Sequence, residues 1–193
     1  MRHNNLLVLS LFVLGANAAL ADGFIEHEKH VHGKAQLNIA IEKNKIEIEF
    51  STPAMNLLGF EYKPSSTEDK HQLAQALTTL RQGGELFTLG TCQLKESEIS
   101  STLLDTDHDN NHPDDKQSNP SLDHDSEHDQ HHQSNHSDFA VHYHFSCSEG
   151  VPAQIKTGLF VAFTGLQHIA VTVLGEQQSQ LTLNKSQNVI NLL

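Results

Sequence analysis

Apolar and polar residues alternate with a period of two along the first part of the chain. From Ala35 to Glu42 the residues Leu37, Ile39 and Ile41 share one face, and from Lys45 to Ser51 the residues Ile46, Ile48 and Phe50 do the same. Side chains of an extended strand point alternately to opposite faces, so both segments predict strands with one buried face. The two-residue break Lys43-Asn44 joins them into a β-hairpin, although the turn lacks glycine. The next stretch, Thr52 to Phe60, is apolar, opens with Pro53 and closes at Gly59. This pattern predicts one or two helical turns packed on the sheet.

A second helix is predicted from Ser65 or Ser66, with Glu68 or Asp69 as capping-box partner, to Gln82. Leu73, Leu77 and Leu80 recur at i, i+4 and i+7, and Gly83-Gly84 marks its end. Strands are predicted at Leu86 to Leu89, Cys92 to Ile99 and Phe139 to Cys147. A helix is expected over Ala153 to Phe163, and a last hairpin over Gln167 to Leu174 and Gln180 to Leu183. Strand runs with few helices imply an α+β fold on a mainly antiparallel sheet. The strand-helix-hairpin order on each side of the middle segment hints at two related halves.

The alternation stops between Asp105 and Asp138. These 34 positions hold seven histidines, ten acidic residues and Leu122 as the sole large apolar side chain. Such a segment has little to bury against the roughly 1 to 2 kcal/mol per residue that ordering a backbone costs. It is therefore expected to be a long disordered loop unless a ligand organises it. Zinc is the natural organiser, because neutral imidazole is its common protein ligand and neighbouring carboxylates favour a dication. His108/His112, His124/His128 and His132/His136 each form an H-x3-H pair, and His131 adjoins His132. On a helical turn each pair would lie on one face. The redundancy predicts a fluxional site, or several sites of graded affinity, rather than one rigid tetrahedron. Since a protonated imidazole cannot bind metal, affinity should fall as pH drops through roughly 6.5.

Two further clusters lie outside this segment. His27, His30 and His32 precede the first strand, and in an extended chain His30 and His32 point to the same side. His142 and His144 share one face of the strand that ends at Cys147, opposite Phe139, Val141, Tyr143 and Phe145. That face presents two imidazoles about 7 Å apart. His71 and His168 are isolated and read as ordinary surface or core residues.

The first 21 residues read as a cleavable secretory signal: Arg2 and His3, an apolar run from Leu6 to Leu14, then small residues before Asp22. A nine-residue run is too short to span a bilayer, which needs about 20. No cysteine follows the cleavage region, so no lipid anchor is expected. The chain is thus divided into a signal peptide (1–21), a first α+β flank (22–104), the His/Asp-rich loop (105–138) and a second flank (139–193). The expected location is the periplasm. There Cys92 and Cys147, which border the loop, are read as a structural disulfide. The competing use as zinc thiolates is weaker without a close C-x-x-C spacing.

The net charge of −12 disfavours nucleic acid and anionic lipid and favours cations. Enzyme signatures do not hold. His124-Asp125-Ser126-Glu127-His128 fits an H-x-x-E-H metallopeptidase pattern, but in a low-complexity stretch where chance pairings are expected. His27-Glu28-Lys29-His30 is one residue short of H-E-x-x-H, and no G-x-S-x-G, P-loop or dinucleotide fingerprint occurs.

His32-Gly33-Lys34-Ala35, the hairpin, and Ser51-Thr52-Pro53-Ala54-Met55-Asn56-Leu57-Leu58-Gly59-Phe60-Glu61 together resemble ZrgA-type proteins of Gram-negative bacteria. The His/Asp-rich insertion before a strand ending in cysteine and the turn Phe163-Thr164-Gly165-Leu166 extend the resemblance over nearly the whole mature chain. Pro53-Ala54-Met55-Asn56 is its most specific part. The resemblance implies a periplasmic zinc-binding protein, induced by zinc starvation, that binds Zn2+ through the insertion and supports a zinc ABC importer. A periplasmic zinc solute-binding protein is the other partner considered. Two departures stand out: Tyr62 occupies a position where histidine is expected in many relatives, and Lys43-Asn44-Lys45 replaces a glycine-containing turn. Two further readings remain: an exported adaptor with a metal- or pH-responsive tether, and a less selective nickel or copper sink.

Overall fold

A computed structural model describes residues 31–104 and 136–192. The signal peptide, His27, His30 and the histidines from His108 to His132 lie outside the described residues.

The predicted hairpin is β1 (Lys34–Glu42) and β2 (Lys45–Pro53), antiparallel with Ile39 opposite Ile48. Lys43 supplies the positive φ, 55°, that glycine would usually provide at this turn. Pro53 then caps α1 (Ala54–Leu58), and Gly59, at φ 81°, ends it in the left-handed conformation. Helix α2 (Thr67–Arg81) starts where the capping pattern places it: the Asp69 N–H donates to Ser66 Oγ at 3.0 Å.

Two expectations need correcting here. Gly83-Gly84 does not lead straight into a strand; after a break at Gln82 it opens a short α3 (Gly83–Leu86), and β3 is only Phe87–Thr88. Gly83 is needed for packing, since a Cβ there would lie 2.5 Å from the Tyr143 ring. The helix expected over Ala153 to Phe163 is instead β6 (Gln154–Thr157) followed by the one-turn α4 (Leu159–Ala162). Ile155 and Thr157 are both fully buried and alternate with exposed Gln154 and Lys156, so a period of two prevailed over the apolar run.

The remaining strands are β4 (Cys92–Ser101), β5 (Asp138–Cys147), β7 (His168–Leu174), β8 (Gln178–Asn184) and β9 (Val189–Asn191), the last not foreseen. A six-stranded sheet runs β4-β5-β2-β1-β7-β8, antiparallel except for the parallel pair β1–β7. A small antiparallel sheet runs β3-β6-β9. Few short helices accompany them, as the α+β expectation required. Strands from both sides of residues 105–138 share the large sheet, with β5 between β4 and β2.

One face of that sheet forms the core. Leu37, Ile39, Ile46, Ile48, Phe50, Phe139, Val141, Tyr143, Ile169 and Val171 are buried there together with Leu80, Phe87, Ile155 and Leu159. The opposite face is open and polar. Cys92 and Cys147 are direct partners across β4 and β5 and form a disulfide. Among the described residues no helix is long and apolar enough to cross a membrane.

Candidate metal site

The end of β2 and the helix after it hold the backbone next to His32 and His136. Asn56 on α1 is buried and holds three partners. Its Oδ1 accepts from the Gly33 N–H at 2.6 Å, while Nδ2 donates to the Lys34 carbonyl at 2.8 Å and to Thr52 Oγ1 at 2.9 Å. Gly33, at φ 84°, also accepts at its carbonyl from the N–H groups of Gln167 and His168. The backbone beside His32 is thereby fixed to α1 and to the start of β7.

A second staple fixes the end of the His/Asp-rich segment. The Ala54 N–H donates to the Ser137 carbonyl at 2.7 Å, Thr102 Oγ1 donates to Ser137 Oγ at 3.1 Å, and Asp138 pairs with Pro53 in the sheet. The backbone beside His136 is thereby fixed to α1 as well.

Between them stands Glu61, only 9% exposed. Its Oε1 lies 3.1 Å from His32 Nε2 and its Oε2 lies 2.7 Å from His136 Nδ1. Both rings are about half exposed. A carboxylate accepts, so neutral rings in this arrangement carry their protons on His32 Nε2 and His136 Nδ1. The lone pairs then sit on His32 Nδ1 and His136 Nε2. Carboxylates that orient metal-binding imidazoles act in this way: they fix the tautomer and raise the basicity of the ligating nitrogen. Among the described residues no three His, Cys, Asp or Glu side chains converge on one point as a ready-made metal cage.

The strand pair lies elsewhere. His142 is exposed and sits between Glu49 on β2 and Glu98 on β4; His144 sits between Glu47 and Glu96. Nearest of these contacts is His144 Nδ1 to Glu47 Oε1, at 3.6 Å. His142 is four residues beyond Asp138, about 13 Å along an extended strand. Of the twelve histidines singled out in the sequence, four fall within the described residues, and the structure brings together one from each of two clusters, His32 and His136.

Sequence reasoning missed Glu61 and Asn56 as site residues. Both stand in the distinctive segment from Ser51 to Glu61, but nothing in their spacing relates them to His32 or His136. The flanking glutamates were legible only as the polar half of the β2 and β4 alternation.

The fold is that of a small β-rich protein in which one carboxylate contacts two imidazoles from distant parts of the chain. The family model of ZrgA family zinc uptake proteins matches residues 29–192, and the chain belongs to that family. Its general role is zinc uptake. No curated protein matches the chain.

Proposed function

We propose that this is a periplasmic protein that captures scarce Zn2+ with neutral imidazoles and hands it toward a zinc ABC importer. The observation carrying this reading is the contact of one nearly buried carboxylate with His32 and His136, the described ends of the two histidine-rich segments. Glu61 sets the tautomers, and His32 Nδ1 and His136 Nε2 offer lone pairs to the ion. The additional ligands come from the histidines nearest in sequence, His27 and His30 on one side and His131 and His132 on the other. His108, His112, His124 and His128 supply weaker sites that collect ions and pass them on. His142 and His144, each flanked by two glutamates, form a separate and weaker cation site on the open face. The chemistry is binding and exchange, with no catalytic step.

Calorimetric zinc titration of the metal-stripped protein tests this, beside a variant lacking residues 105–138, a His32→Ala/His136→Ala variant and a His142→Ala/His144→Ala variant. The reading requires the tightest event to weaken in the first two and to persist in the third. Tight binding that survives both the deletion and the loss of His32 and His136 sinks it.

A further inference from the structure

The two edges of the six-stranded sheet differ in how they are protected. Strand β4 carries Lys95, Glu96 and Glu98, and its register with β5 slips between Leu94 and Glu96. Charges and bulges of this kind keep edges from pairing with other chains. Strand β8, Gln178-Ser179-Gln180-Leu181-Thr182-Leu183-Asn184, has no charge and no proline, and its register with β7 is continuous over seven pairs.

The direction of its backbone groups follows from its neighbours. His168 sends its N–H to Gly33 on the β1 side, and Asn184, opposite His168, exchanges both backbone bonds with Gln187 on the outer side. Pairs alternate along an antiparallel ladder. Thus Gln178, Gln180 and Thr182 also direct their N–H and C=O groups outward, where β8 has no neighbouring strand among the described residues.

We propose that β8 is a self-association edge, at which a second copy of this chain adds its own β8 antiparallel about a two-fold axis at Gln180. Only this centre uses the whole open row: Gln180 meets Gln180 of the second copy and Gln178 meets its Thr182. Shifting the centre to Thr182 would require the Asn184 groups that Gln187 already occupies. In this register Glu176, at the hairpin tip, falls beside Lys185 of the second copy, twice.

Charge selects the occupant. Two copies with a net charge of −12 repel overall, so self-association requires a contact at which no like charges are opposed. β8 meets that condition: it carries no charge, and Glu42 on β1 and Glu47 and Glu49 on β2 lie two and three strands away, about 10 and 14 Å, beyond the Debye length of about 8 Å at physiological salt.

Sedimentation velocity over a concentration series, in excess chelator so that zinc cannot bridge copies, tests this, together with amide hydrogen exchange. The expected result is a reversible dimer in which the Gln178, Gln180 and Thr182 amides become protected as concentration rises. Gln180→Lys opposes two like charges at the axis and should raise the dimer dissociation constant by at least roughly tenfold without changing the monomer's melting. Glu176→Lys should weaken the dimer, and adding Lys185→Glu should restore it. A protein that stays monomeric throughout overturns the proposal, and so does a dimer that Gln180→Lys leaves intact or that leaves these three amides exchanging freely.

Discussion

His136 and Glu61 are 75 residues apart in the chain and 2.7 Å apart in the fold. The same carboxylate reaches His32 with its other oxygen, so a single side chain sets the orientation of two imidazoles from segments that are distant in sequence. Replacing it tests how much orientation matters. Glu61→Gln keeps the size and one acceptor but loses the charge and the second acceptor. Losing such a carboxylate behind a metal-bound histidine typically lowers affinity about 10- to 100-fold. The tightest zinc event in calorimetry should weaken by that factor while the folded-state circular dichroism stays unchanged. Unaltered affinity would make Glu61 a structural residue only.

Asn56 positions His32 from behind. Its side chain holds the Gly33 N–H and the Lys34 carbonyl, and it is itself buried. Asn56→Ala leaves these backbone groups without their partners, at a cost of about 1 to 3 kcal/mol. The urea midpoint should fall accordingly. If the network positions His32, zinc affinity should fall as well, and Asn56→Asp should not restore it, because a carboxylate cannot donate to the Lys34 carbonyl or to Thr52 Oγ1. Urea titration and calorimetry on the same samples separate the two effects.

The core was legible in the sequence because strand burial has a period of two and the chain obeys it. Leu37/Ile39, Ile46/Ile48/Phe50 and Phe139/Val141/Tyr143/Phe145 all face inward as the alternation requires. Short elements were legible less well. The buried Ile155 and Thr157 sit beside Leu159 and Phe160, and so few residues cannot show which period governs. The strand order escaped entirely: nothing local says that β5 inserts between β4 and β2, or that β1 and β7 run parallel. Glu61 escaped for the same reason. Its partners are fixed by the return of the chain after β2 and by the Ser137 staple, both tertiary facts. Tyr62, noted as a departure from the expected histidine, stacks on Phe60 with ring centroids 4.8 Å apart and 55% of its surface exposed.

The Cys92–Cys147 disulfide closes a ring across 55 residues of sequence separation, and this ring contains the whole His/Asp-rich segment. In the chain-entropy account a ring of this size contributes about 4 kcal/mol by restricting the unfolded state. Its partners are already direct neighbours in the β4–β5 ladder, so reduction should leave the folded arrangement of His136 and Glu61 in place. Denaturant unfolding with and without reductant should therefore show a large loss of stability. Zinc affinity, measured well below the unfolding transition, should not change. A parallel loss of affinity would mean that the disulfide shapes the site directly.

Tyr143 gives the fold an alkaline limit. Its ring is fully buried against Phe87 and Gly83, and its hydroxyl donates to the Leu80 carbonyl at 2.8 Å, in the last turn of α2. Burial raises the phenol well above its ordinary value, since the interior disfavours the phenolate. The sign follows directly: above about pH 10 the unfolded chain loses this proton while the folded protein keeps it. The contribution is whole below that pH, and stability falls by about 1.4 kcal/mol per pH unit above it. Tyr143→Phe removes the ionisable group and leaves the Leu80 carbonyl without its donor. At neutral pH the variant should be about 1 to 3 kcal/mol less stable. Its urea midpoint should nevertheless decline less steeply between pH 10 and 11 than that of the unaltered protein. Equal slopes in the two proteins would show that another group sets the alkaline limit.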